Sequence, residues 1–312
     1  MAPTTPDLAA VPPPGASATP PSRLQRFRPW LRRLSLLGRY LFMIFLALIF
    51  ALPIVYMVVA SLKPYDQLIR DQASFRAFLP VGDISLGNYQ WLFGYLPVPR
   101  FLANSILVSA LTVLGSLAVN SMAAFALSRL RWRGQGLLIA LIIAAIIIPF
   151  EAISIPLLLI VNNLPWIGAG GLVTGWFNSY QVQIVPFLAD AFSVFLFYQY
   201  FKALPGELFD VARIDGASWP QIFLWIVVPL SGPVYATVAI LRFLAMWNQY
   251  LWPSMVIQTD EYRTLMVGFG YLYGADGPSM AYLTVALIPV LILFFAFQRA
   301  FVKSISASSQ GG

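Results

Sequence analysis

Apolar residues run through this chain in long unbroken stretches, not in the short amphipathic periods of a soluble fold. A helix needs about 20 residues to cross the ~30 Å hydrocarbon core of a bilayer. Six stretches are long enough, near 39–62, 101–127, 136–161, 182–201, 222–247 and 281–301. The pattern predicts an all-α, polytopic membrane protein with six transmembrane helices. Polar positions collect at the ends and between the stretches. Residues 1–38 read as a disordered and basic N-terminal segment, whose first 22 residues are too rich in Pro, Ala and Thr to bury a core. Residues 39–303 form the membrane domain and 304–312 a short tail. Pro149 and Pro156 interrupt the third stretch, and each should kink it where protein or water can satisfy the freed carbonyl. The uncharged loop 162–181, with Gly168, Gly170, Gly171, Trp166 and Trp176, reads as an interfacial connector.

Composition narrows the chemistry. Of 312 residues, 59% are hydrophobic and only 10% charged, and the mean hydropathy is +0.77. There is no cysteine, hence no disulfide, thiol nucleophile or thiolate metal site. There is no histidine either, which removes the commonest metal ligand and general base. The net charge of +7 would suggest nucleic acid in a soluble protein, but its placement fits a bilayer instead. With the N-terminus inside, the inner segments hold Arg23, Arg26, Arg28, Arg32, Arg33, Arg39, Arg129, Arg131, Arg133, Lys202, Arg213, Arg299 and Lys303. The outer segments hold Lys63, Arg70, Arg76, Arg100 and Arg263, five against thirteen. That asymmetry predicts both termini in the cytoplasm, with no nucleic-acid partner. The Arg-rich stretch 23–39 should lie on the anionic inner leaflet. It is not the front of a cleaved signal peptide, because the apolar run behind it is too long and lacks a small-residue cleavage site.

The most charged stretch of the interior is Leu204–Pro233, LPGELFDVARIDGASWPQIFLWIVVPLSGP, which the charge count places in the cytoplasm. Pro205 can open a helix, and Glu207 and Asp210 then sit in its first turns on one face, with Arg213 three residues on. Asp215-Gly216 reads as a tight turn. Ser218, with Gln221 three residues later, reads as the capping box of a second helix, which continues into the fifth span past Pro229 and Pro233. Helix, turn, helix on the water side describes a docking element.

This stretch resembles the EAA loop of ABC-transporter permease subunits. Asp210-Val211-Ala212, Asp215-Gly216-Ala217-Ser218, Pro229-Leu230 and Pro233 match, with Asp210 for the usual Glu and Val211 for the first Ala. Further stretches are similar to the carbohydrate-uptake branch, in particular its maltose-permease-like second subunit. They are SLGNYQWLF (85–93), Asn104-Ser105, AAFALSRLRWRGQ (123–135), AFSVFLFYQYF (191–201), FLAMWNQYLWP (243–253), TLMVGFGYL (264–272) and PVLILFFAFQRAFV (289–302). The resemblance implies the type I importer permease fold, in the cytoplasmic (inner) membrane of a bacterium or archaeon. It implies three partners: a second permease forming a heterodimer, an ABC ATPase dimer at the cytoplasmic loop, and an extracytoplasmic sugar-binding protein. Glu207, Asp210, Ala212, Asp215, Gly216 and Ala217 would form the ATPase-coupling loop. The chain itself lacks a G-x-x-x-x-G-K-[ST] P-loop, so ATP and Mg would be bound by the ATPase and no cofactor or catalytic residue is expected here.

Three ionisable groups fall within predicted spans: Glu151, Asp190 and Arg242. Arg242 could pair with Glu151 or Asp190 near the outer end of a pathway, placing Trp247, Asn248 and Gln249 beside a passing sugar. The same groups also fit a structural ion pair, or an arginine reaching the outer interface. Two rival functions remain open on the residues alone. One is an ABC permease for another solute such as glycerol phosphate. The other is a stand-alone secondary transporter, a class that tends to show internal repeats and midplane charges.

Overall fold

The structure is a computed structural model that describes the backbone of residues 23–168, 171–272, 274 and 277–308. The expected disordered tail 1–22 and the last four residues lie outside the described residues. Helix α1 (Arg23–Ser61) begins at the first arginine, so the basic stretch and the first span form one helix. The chain divides into two units at Val55. In the first, residues 35–55 of α1 are exposed almost throughout and apolar, as at Phe50, which is 74% exposed.

The second unit carries the remaining helices. In chain order these are α2 (Tyr65–Asp71), α3 (Gly87–Tyr95), α4 (Val98–Arg129), α5 (Gln135–Ile146), α6 (Phe150–Asn163), α7 (Tyr180–Ile184), α8 (Ala191–Ala203), α9 (Glu207–Ile214) and α10 (Trp219–Ile222). After a π turn at Phe223–Val227 come α11 (Val228–Leu230), α12 (Gly232–Trp247), α13 (Leu251–Val256), α14 (Leu265–Gly268) and α15 (Gly277–Ser308). The connector between α6 and α7 is more ordered than its composition suggested. It contains an antiparallel hairpin of β1 (Pro165–Gly168) and β2 (Gly171–Thr174), with Trp166 opposite Val173.

Only three of the expected spans are single helices: Ser35–Ser61, Val98–Arg129 and Gly277–Ala296. The other three are bent pairs, and each break has a local cause. Gln135–Ile146 and Phe150–Asn163 meet at 105° where Pro149, lacking an N–H, caps α6. Tyr180–Phe187 and Ala191–Ala203 meet at 41° behind Pro186. Trp219–Leu230 and Gly232–Trp247 meet at 80° at Ser231, between Pro229 and Pro233. The expected spans near 136–161, 182–201 and 222–247 are therefore each a pair of helices joined at a proline-marked break rather than one continuous helix, and counting each pair as one span gives six. Residues 219–230 follow directly on α9 and the turn at Gly216.

Helix α4 packs along both α8 and α12 and carries a buried polar stripe of Ser105, Ser109, Thr112, Ser116, Asn120 and Ser121. Small side chains at spacings of three and four let helices approach closely in lipid. Outside the bundle, residues 61–88 fold around Lys63, which is 1% exposed. Its ammonium donates to the Asp71 carboxylate at 2.9 Å and to the Arg76 carbonyl at 2.6 Å. Gln67 also donates to Asp71, at 3.3 Å, and to the Val81 carbonyl, at 2.6 Å. These bonds hold the Asp71 carboxyl below its ordinary range, chiefly through the lysine.

Candidate coupling surface and membrane pathway

The helix–turn–helix at 207–222 forms largely as its sequence implies, with one shift: α9 starts at Glu207, capped by Gly206 rather than opened by Pro205. Its far end is a Schellman motif. Gly216 takes φ +82°, its amide donates to the Arg213 carbonyl at 3.1 Å, and the Ala217 amide donates to the Ala212 carbonyl at 2.9 Å. The left-handed position needs a residue without a Cβ, and the two bonds close carbonyls that the helix end leaves open. Beyond the turn, Ser218 and Gln221 form the expected capping box, with the Ser218 amide donating to Gln221 Oε1 at 2.8 Å.

Helix α9 has two faces. Phe209 and Ala212 are buried in a core cluster with Phe125 of α4, Phe201 of α8 and Ile222 of α10. On the other side Glu207, Asp210 and Asp215 are exposed together with two apolar residues, Val211 at 58% and Ile214 at 84%. Carboxylates interleaved with bare aliphatics on a rigid helix make a surface suited to a protein groove. The end of α4 fixes that helix in place. The Arg129 guanidinium lies 3.9 Å over the Phe209 ring and donates to the Phe201 carbonyl and, at 2.8 Å, to the Leu204 carbonyl. It thereby caps the C-terminus of α8 while holding the first turn of α9.

Of the two partners considered for Arg242, the structure brings Asp190 to it and leaves Glu151 exposed on α6. Arg242 Nη1 lies 3.3 Å from Asp190 Oδ1, and Nη2 donates to the Phe187 carbonyl at 2.5 Å. Asp190 also caps α8, accepting from the Ser193 amide at 2.8 Å. Asn120, fully buried on α4, completes the arrangement. It donates to the Leu188 carbonyl at 3.0 Å and accepts from the Asp190 amide at 2.9 Å. Gly115, one turn above, leaves room for this segment, since a Cβ there would sit 2.5 Å from Leu188 Cδ2. The break at 187–190 thus has its loose backbone groups satisfied by side chains of α4 and α12, which is what allows irregular backbone inside a membrane. The arginine is a structural clamp on this break.

Trp247 is 2% exposed. Its ring stacks on Phe243 at 5.4 Å within a core cluster of this chain, so it is not offered to a passing ligand. Asn248 is exposed and donates to the Leu244 carbonyl at 2.9 Å, and Gln249 is half-buried. Two anchors escaped the sequence reading, Asn120 and Arg129 in its capping role. Their signal was an amide deep in an apolar run and the first of three arginines at the end of that run.

Residues 116–307 match the family model described as "Binding-protein-dependent transport system inner membrane component". The chain belongs to this family of inner-membrane transport components. The arabinooligosaccharides transport system permease protein AraQ of Halalkalibacterium halodurans is 31% identical over 273 residues, 86% of this chain and 94% of that protein. The sn-glycerol-3-phosphate transport system permease protein UgpE of Shigella flexneri is 32% identical over 220 residues, 69% and 75% of the two chains. The fold is that of a chain in the crystal structure of a bacterial ABC transporter involved in the import of the acidic polysaccharide alginate. The TM-score is 0.66 at 23% identity, over 90% of this chain and 99% of that one. The matched region of this transport component includes the Asn120 contacts, the Asp190–Arg242 clamp and all of the 204–233 loop.

Proposed function

We propose that this chain is one of two permease subunits of an ATP-driven importer for a sugar or oligosaccharide delivered by an extracytoplasmic binding protein. Both termini and the 204–233 loop face the cytoplasm. The observation that carries the reading is the two-faced helix α9, which is buried by Phe209 and Ala212 and offers Glu207, Asp210, Val211, Ile214 and Asp215 to a partner. An ABC ATPase that closes on ATP would push this helix. Because Arg129 and Phe209 join α9 to α4 and α8, the push reaches the spans directly. The carbohydrate assignment is supported by the AraQ relative. Glycerol phosphate is the second reading, favoured by the UgpE relative.

The test is co-purification of the tagged chain with the second permease and the ATPase of its importer, wild type against Gly216→Pro with Asp210→Arg. Proline cannot adopt φ +82°, so the turn and the carboxylate are removed together. ATPase retained by wild type and lost by the variant, with the second permease still bound, supports the assignment. Equal retention by both chains sinks it. Uptake by the reconstituted complex, with oligosaccharides or glycerol phosphate as competitors, separates the two substrate classes.

A further inference from the structure

Two breaks in the apolar spans lie side by side, and the chain treats them differently. At 187–190 the carbonyls of Phe187 and Leu188 and the Asp190 amide are met by Arg242 and Asn120. The α5–α6 elbow adjoins that break, with the Phe150 ring 5.4 Å from the Phe187 ring. Yet among the described residues nothing donates to the carbonyls of Ile146, Ile147 and Ile148. Glu151, exposed in the first turn of α6, has a carboxylate with no ion pair among the described residues.

The elbow also lies deep. Helix α5 has 12 residues and begins just after Arg129, Arg131 and Arg133, so it reaches at most about 18 Å into a core about 30 Å thick. There α6 turns away by 105°. Open carbonyls and an ionised carboxylate at that depth are tolerated against protein or water, not against lipid tails. The neighbouring break shows the protein solution, and the elbow lacks it. Its acceptors suit the hydroxyls of a sugar, to which a carboxylate makes short, strong hydrogen bonds. The same carboxylate repels an anion.

We propose that the elbow lines a water-filled pathway between the two permeases, where Glu151 accepts hydrogen bonds from a neutral sugar and turns away anionic solutes such as glycerol phosphate. The inference rests on the importer assignment above and narrows its substrate to the uncharged class.

Because the chain has no cysteine, single cysteines report on single positions. The full complex of tagged chain, second permease and ATPase is placed in nanodiscs, which leave both faces open to reagent. Labelling of this chain by membrane-impermeant methanethiosulfonates, one cationic and one anionic, is followed by mass spectrometry. A thiol must be in water to ionise and react, so Glu151→Cys should label roughly tenfold faster than Leu141→Cys, an exposed apolar position on α5. Neutral oligosaccharide, supplied with binding protein and ATP, should slow labelling at 151. Ile155→Cys, exposed one turn further along α6, reads the charge. There the cationic reagent should react roughly tenfold faster than the anionic one, the Coulomb effect of a carboxylate about 6 Å away in water, and adding Glu151→Gln should level the two rates.

The second permease and ATPase should co-purify with every variant. Their loss from wild type would refute the subunit assignment, whereas the proposal made here is judged on intact complexes. Labelling at 151 no faster than at 141 overturns it, since the elbow would then face lipid or be sealed by the second permease. Fast labelling that sugar does not slow removes the substrate contact and overturns it equally. A reagent preference at 155 that survives Glu151→Gln would assign the selectivity to another charge and overturn the role of Glu151.

Discussion

Replacing Asn120 by leucine should cost far more than a typical polar contact in a membrane protein. The substitution keeps the number of side-chain heavy atoms but enlarges the group at a fully buried site, so overpacking adds to whatever the lost hydrogen bonds cost. It also strips the Leu188 carbonyl and the Asp190 amide of their partners at 3.0 and 2.9 Å. Each buried group left unsatisfied costs about 1–3 kcal/mol. Both residues are half-buried, so the lower half of the range applies and the expected loss is about 2–4 kcal/mol. Interhelical side-chain hydrogen bonds in membranes average only about 0.6 kcal/mol, because the separated helices find other partners. The larger figure should win here because the stripped groups are backbone atoms of a broken helix, with no rotamer that reaches another partner. The assay is reversible unfolding in mixed micelles, with Arg242→Met and the double variant completing a cycle. Since Arg242 and Asn120 serve the same break, the double loss should differ from the sum of the singles. A loss below about 1 kcal/mol for Asn120→Leu, or strict additivity, would refute the view that these side chains replace missing helix hydrogen bonds.

Three further outcomes follow from the geometry. Lys63→Met should open the 61–88 segment to protease while leaving the bundle intact. In wild type, the depressed Asp71 pKa means that its contribution is fully present above about pH 4 and is lost as pH falls below that value, so protease resistance of this segment should fall on acidification. Arg129→Met should lower stability by about 2 kcal/mol through lost carbonyl capping and ring stacking. It should also uncouple ATP hydrolysis from uptake, and both effects should be partly restored by lysine; unchanged coupling would remove α4 from the transmission route. Trp247→Ala should destabilise the chain by about 3–5 kcal/mol as a core truncation, whereas Asn248→Ala should leave the unfolding midpoint unchanged and alter uptake kinetics if it touches substrate.

Much of the candidate site was legible in the chain because its determinants are local. Gly216 is required by a left-handed turn, Ala212 is the small residue buried just before it, and Gln221 accepts from the amide of Ser218, all within ten residues of one another. The breaks in the spans were only partly legible. Proline marks where a helix hydrogen bond is missing, but the resulting angle depends on what fills the gap. At 187–190 two distant helices fill it, and at Ser231 the chain turns by 80°. Trp247 misled for a related reason. An aromatic beside an amide reads as a sugar platform, yet helical phase turned the ring toward Phe243 and the amide outward.

By itself the sequence determined that the chain is membrane-embedded, how many apolar lengths it has, how its positive charges divide, and that the 204–233 loop turns at Gly216. These properties are sums over consecutive residues, or the demands of a single turn, and need no partner to be expressed. Only the tertiary structure decided that Arg242 meets Asp190 rather than Glu151, that Asn120 repairs the broken helix, and that Arg129 joins α9 to the bundle. Each is a contact between segments tens of residues apart. Each exists because α4 packs along both α8 and α12, which turns the polar stripe on one helix into the hydrogen-bonding partner of another's missing turn.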